Sequence, residues 1–276
     1  MKKYIYEPNI HLKLGIRIWP VMIKELVDNR ELVIRLFIRN WMIKYKQTAL
    51  GYLWAFIMPF IAIVTFIYLN KTGIVNIGPT EIPYPLFALI GLSVWQLFAS
   101  GLIAGCNSLI SAGDMIAKVN FPREVLVLAS LAQPIFEFLV KFVMIIILFF
   151  VYKFTPPWQA MFFLLAILPV LILTLGLSLF LSLLTGVFRD TVNVITLIST
   201  FLMFLTPVLY PIPLQRSLFF RLNPLTSLIS APRELIIYGR ILTPIDFFIV
   251  SVLSIIIFLI CWRIFHLVET KIPERI

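Results

Sequence analysis

Apolar residues run almost unbroken through six stretches of the chain: 51–69, 84–106, 125–152, 161–187, 192–210 and 243–266. A helix needs ~20 mostly apolar residues to cross a hydrocarbon core. The pattern therefore predicts an all-α integral membrane protein with six transmembrane helices. The third stretch is unusual in carrying Glu137 and Lys141 in mid-span. Two further segments are neither spans nor ordinary loops. In residues 28–46, Asp28, Glu31, Arg35, Arg39 and Lys46 share one helical stripe, opposite Leu26, Val33, Phe37 and Trp41, with Arg30 and Lys44 intruding. A basic polar face opposite an aromatic apolar one predicts an amphipathic helix lying in the membrane interface. Residues 211–242 are too apolar for a solvated loop but are broken by Pro211, Pro213, Pro224 and Pro232. Asn223-Pro224 reads as an N-cap followed by proline at the first helical position, and Gly239 as a C-terminal stop. Irregular backbone can dip into a bilayer only where protein covers it, so external re-entrant or surface-lying short helices are expected here. Thr243-Pro244-Ile245-Asp246 then restarts the chain, with Thr as the cap and Asp near the positive helix end.

Composition removes the soluble alternative. The 276 residues are 61% apolar and 13% charged, with a mean hydropathy of +1.02. A soluble fold of this size exposes too much surface to hide so much apolar area. With 25 Phe and 8 Met, disorder is excluded as well. Cys106 and Cys261 have no ligand-like spacing and read as free membrane thiols. The first apolar block begins near Leu50 with no small-residue cleavage site after it, which argues against a removable signal peptide.

Placement of charge orients the spans. With the N-terminus inside, sixteen Lys/Arg fall on the cytoplasmic side, six outside, and Lys141 within the membrane. The positive-inside rule then makes both termini cytoplasmic. The ten basic residues of positions 1–51 border a hydrophobic block, so anionic lipid headgroups explain the net charge of +10 better than nucleic acid does. The arginines Arg216, Arg221, Arg233 and Arg240 mark the last external segment as a local exception.

Catalytic chemistry is hard to place on this chain. There is no phosphate-binding Gly-Lys-Ser/Thr loop, no Gly-x-Ser-x-Gly elbow and no carboxylate pair at a membrane face. His11 and His266 lie at opposite ends with no second ligand nearby, so neither a catalytic nor a metal site is expected. Glu137 and Lys141, at i and i+4 in the favourable order, read either as an internal ion pair or as a proton relay. Ser93, Gln96 and Ser100 with Asn107 form one polar stripe. Thr174, Ser178, Ser182 and Thr185 form a second, and Asn193, Thr196 and Thr200 a third. Such stripes are helix-packing seams first. Ser93, Gln96, Ser100, Thr196 and Thr200 also read as a polar path for a glycan. The loop 107–124 holds Asp114, Lys118, Phe121, Pro122, Arg123 and Glu124, and is read equally well as a partner's docking peg or a solvated connector.

A resemblance sharpens these alternatives. The run Lys44-Tyr45-Lys46-Gln47-Thr48-Ala49-Leu50-Gly51-Tyr52-Leu53-Trp54-Ala55, with Pro59 after it, resembles the approach to the first span in bacterial polysaccharide-export permeases. These are the membrane subunits of type-2 ABC exporters for O-antigen, teichoic acid and capsule. Trp95-Gln96-Leu97-Phe98, Lys118-Val119-Asn120-Phe121-Pro122-Arg123-Glu124, Phe188-Arg189-Asp190, Thr206-Pro207-Val208-Leu209-Tyr210 and Asn223-Pro224-Leu225 follow in the same order. The likeness covers residues 20–268 and is nearest the O-antigen branch.

The resemblance implies a non-catalytic permease that forms a homodimer and works with two copies of a cytoplasmic ATP-binding subunit. ATP and magnesium would sit on that partner, with no cofactor in this chain. The substrate would be a lipid-linked polysaccharide crossing the bacterial inner membrane through a channel between the two permeases. The organisation it implies is a cytoplasmic extension (1–20), a gate-like interfacial helix (21–50), a six-span permease domain (51–266) and a cytoplasmic tail (267–276). Within the domain, 107–124 becomes the ATPase-coupling loop and 211–242 the external re-entrant segment around Asn223 and Pro224. Lys44, Tyr45, Lys46, Gln47, Leu50, Gly51 and Trp54 become the gate ahead of the first span. A teichoic acid or capsule exporter, and a proton-coupled flippase using Glu137 and Lys141, stay open beside this reading.

Overall fold

The computed structural model describes residues 18–46, 51–72, 80–119, 121–211, 220 and 222–269. Every regular element among them is helical: α1 (Ile18–Asp28), α2 (Arg30–Lys46), α3 (Trp54–Lys71), α4 (Tyr84–Asn107), α5 (Gly113–Lys118), α6 (Glu124–Ser130), α7 (Ala132–Val151), α8 (Phe163–Val187), α9 (Thr191–Leu205), α10 (Pro224–Tyr238) and α11 (Pro244–Val268). Short 3-10 turns at Gly51–Leu53, Ile110–Ala112 and Trp158–Phe162 precede α3, α5 and α8.

Four helical stretches are long and apolar enough to cross a membrane, against the six expected: Tyr84–Asn107, Glu124–Val151, Trp158–Val187 and Pro244–Val268. The other two apolar helices are shorter, Trp54–Leu69 and Thr191–Leu205. The fifth stretch ends early because Pro207 drives the residue before it out of helical geometry, leaving Thr206 extended at φ −107°, ψ 139°. Hydropathy continues through Val208 and Leu209, but the helix does not. At 1.5 Å per residue, α9 rises only about 22 Å. The third stretch is broken internally. Pro134 has no N–H for the Ser130 carbonyl and its ring crowds that oxygen, so the chain turns at Leu131 between α6 and α7.

α8 is the hub of the bundle, packed against α4 on one side and α11 on the other. Lipid supplies no hydrophobic drive for helices to meet, so close approach depends on small residues. A Cβ on Gly101 would lie 2.5 Å from Thr174 Cγ2, and one on Gly176 would lie 2.6 Å from Phe258 Cα. Thr174, Ser178, Ser182 and Thr185 are all buried along this seam. Their hydroxyls donate to carbonyls of their own helix, except Ser178, which reaches Gly101 O across the interface at 3.3 Å.

The expected single interfacial helix is two, α1 and α2. Asn29 separates them, its amide and side chain both donating to Glu25 O, at 3.1 and 2.8 Å. The aromatic face of α2 is turned onto protein. Leu36 is buried with Val125, Val127 and Ala129 of α6, and Trp41 meets Phe136 of α7 with ring centroids 5.2 Å apart. The outward face is Ile34, Ile38 and Met42, flanked by Glu31, Arg35 and Arg39, all exposed. α1 docks through Trp19, whose ring meets Trp262 of α11 edge-on at 5.8 Å.

Candidate functional site

The loop after α4 descends through Ile110–Ala112 and α5, becomes extended at Val119, and reaches α6 through Phe121, Pro122 and Arg123. Lys118 and Val119 are exposed, whereas Phe121 packs against the apolar cluster formed by Leu36, Leu109, Val125 and Phe265. The Asp114 side chain lies outside the described residues. Glu124, the first residue of α6, points inward and is only 2% exposed. Its Oε1 lies 2.8 Å from Nδ1 of His266, itself 3% exposed, in the last turn of α11. Glu269, next to that helix end, brings Oε1 to 3.6 Å from the same nitrogen, and its Oε2 accepts the Arg123 backbone amide at 3.0 Å. Burial first, and then the charge of Glu124, push the Glu269 carboxyl well above the usual carboxylate range, against the opposing pull of the Arg123 amide.

The structure thus supplies the partners that His266 lacks in the sequence. Glu124, His266 and Glu269 present ligand atoms that all lie within 4.8 Å of one another, a spacing that one metal ion could span. Nδ1 already has a carboxylate within hydrogen-bonding distance at 2.8 Å, so the cluster is also coherent as a polar joint between the two segments, with Glu124 Oε2 buried and making no hydrogen bond among the described residues. His266 and Glu269 share a helix face at i and i+3, a signal visible in the sequence. Glu124, 142 residues away, is not.

The other expected residues are scattered. Lys44, Tyr45 and Lys46 end α2, with side chains outside the described residues, as are Gln47 and Leu50. Gly51 opens the turn into α3 at φ 51°, a conformation that favours glycine, and Trp54 is exposed. Lys141 is buried to 3% exposure, while Glu137 is half-buried and accepts from Gln133 Nε2 at 2.9 Å. Ser93 is fully buried and bonds to Ile90 O. Ser100 bonds to Gln96 O on its own helix. Thr196 and Thr200 are exposed, each bonded one turn back along α9. These residues do not share one face: Ser93 belongs to the packed interior, Thr196 and Thr200 to the outer surface.

Asn223 and Pro224 start α10 as the sequence suggests. Asn223 Oδ1 accepts from Leu225 N, and its Nδ2 donates to Thr206 Oγ1, both at 3.0 Å. Gly239 ends the helix at φ 69°. Thr243 holds the cap position of α11, but its side chain makes no capping bond. α10 is a core element rather than a surface helix, packed on α4, α8 and α11 with residues 225–236 buried. Arg233 donates to Pro207 O at 2.5 Å and stands 4.2 Å over the Phe87 ring, and Glu234 accepts Leu242 N at 2.7 Å. Gly91 lets this segment close, because any Cβ there would collide with Val208 O.

An O-antigen export system permease protein RfbA of Myxococcus xanthus is 28% identical over 215 residues, covering 76% of this chain and 82% of that protein. One of the same name from Klebsiella pneumoniae is 33% identical over 205 residues, covering 72% and 77%. A second from Klebsiella pneumoniae is 33% identical over 203 residues, covering 71% and 76%. The pattern of the ABC-2 type transporter membrane family matches residues 31–237, from α2 through α10. With that match across three quarters of its length and four helices able to span a bilayer, the chain is a multi-pass membrane protein of the ABC-2 type transporter family.

Proposed function

We propose that this chain is the permease subunit of an ATP-driven exporter that carries undecaprenyl-linked O-antigen polysaccharide across the inner membrane. The observation that carries the reading is the 33% identity, over about three quarters of both chains, to permeases named for O-antigen export. Two copies enclose the channel, and a separate pair of ATP-binding subunits docks on the cytoplasmic side against the 107–124 loop. The charge bias supports the orientation, since sixteen basic residues lie on the side of that loop and of both termini. α2 lies along the same face, where exposed Ile34, Ile38 and Met42 enter the lipid boundary and Arg35 and Arg39 meet headgroups. α10 forms the external cap.

Deleting the gene and following O-antigen by surface labelling and by extraction of lipid-linked glycan tests the proposal. Surface glycan is expected to disappear and lipid-linked glycan to accumulate inside. Full surface display in the deletion strain would sink the reading.

A further inference from the structure

Two buried carboxylates and an imidazole at one end of the bundle call for an explanation beyond stability. Removing such groups from water costs several kcal/mol, and well-packed apolar residues would hold the site at least as well. What a polar cluster adds is direction. The Glu124–His266 contact at 2.8 Å fastens the last residue of the 107–124 loop, which is also the first of α6, to the end of α11. The Arg123 amide on Glu269 Oε2 at 3.0 Å makes a second fastening between the same two segments.

The break at Leu131 makes that fastening consequential. Because Pro134 interrupts the ladder, α6 and α7 are separate helical segments joined at Leu131 within the third span. α6 is held sideways. Its backbone packs on α2, α4 and α8, and Asn40 Nδ2 donates to Ala129 O at 3.0 Å. Through His266 and Glu269 it also grips α11, which meets α8 with no intervening side chain at Gly176, where an added Cβ would lie 2.6 Å from Phe258 Cα. α8 in turn lies against α4 at Gly101.

We propose that Glu124, His266 and Glu269 form a transmission joint, positioning residues that carry movement of the 107–124 loop into α11 and, through α8, into the bundle. The inference rests on reading that loop as the ATPase-docking element. It is tested with the complete transporter, permease plus ATP-binding subunit, in a strain lacking its own copy. Three quantities are followed: complex recovered, ATP hydrolysed and glycan delivered to the surface. Glu124→Leu and His266→Leu are each expected to lower glycan exported per ATP on the order of tenfold, within the range of inter-site couplings. The double variant should fall no further than the worse single one. His266→Asn places an amide nitrogen near the Nδ1 position and should keep the wild-type ratio. It also serves if the leucine variants accumulate poorly. An unchanged ratio in leucine variants that assemble, multiplicative losses in the double variant, or a low ratio in His266→Asn would overturn the joint. Failure of the exporter reading shows separately, as a wild-type chain that recovers no ATPase partner and restores no surface glycan.

Discussion

At the residue scale, two positions show how little freedom the chain has at its contacts. Gly91 faces the Val208 carbonyl across the junction between α4 and the Thr206–Leu209 segment. The obstacle is backbone, which cannot rotate aside as a side chain would, so Gly91→Ala must push the segment off α4. Overpacking of this kind costs about 1–3 kcal/mol, and thermal unfolding of the detergent-purified protein should show a clear loss of stability. Glu269 is constrained electrostatically. Its folded carboxyl binds its proton more tightly than an unfolded one near 4.5. The corresponding stability is therefore complete below that value and drains away as pH rises through the elevated one. Glu269→Gln keeps an acceptor for the Arg123 amide without the charge. Unfolding temperatures measured from pH 5 to 8 should decline less steeply for this variant than for the wild type, and parallel slopes would refute the assignment.

At the element scale, α10 depends on its first residue. Asn223 both caps the helix and reaches back to Thr206, where α9 has just ended. Asn223→Ala loses both contacts and should cost about 1 kcal/mol or somewhat more. Asn223→Asp keeps the capping oxygen but not the donor to Thr206, and should fall between wild type and alanine in the same melting experiment. This helix was legible in advance, because Asn-Pro and Gly are local signals of backbone geometry. The ends of α9 and the interruption before α7 were less so. Thr206-Pro207 and Pro134 act on geometry while the surrounding residues stay apolar, and hydropathy does not register a turn made of hydrophobic side chains. The joint at Glu124 was illegible for another reason. Pattern along a chain reports which face a residue occupies, not which distant residue shares that face. The polar stripe of α8 was legible as a packing seam, but only the structure shows that its partner is α4, at Gly101 and Gly105.

At the scale of the whole molecule, ionisable groups concentrate at the ends of the bundle and are sparse within it. Glu137 and Lys141 lie within the third span and Arg233 and Glu234 within the buried α10, and Glu137 is held by Gln133 of its own helix. A carrier driven by protons would need Glu137 to load and release one. An exporter driven by its partner would not, so Glu137→Gln should leave surface O-antigen at the wild-type level. Abolished export in that variant, with the complex still assembled, would favour the proton-driven alternative. The short α9 has a consequence for the membrane itself. Its rise of about 22 Å falls short of a hydrocarbon core ~30 Å thick, and its outward Val194, Leu197, Phe201 and Phe204 leave the helix apolar on that side. Where this face meets lipid, the acyl chains must compress to match it. Any lipid that packs on this face therefore meets a shorter helical wall than a full-length span would offer.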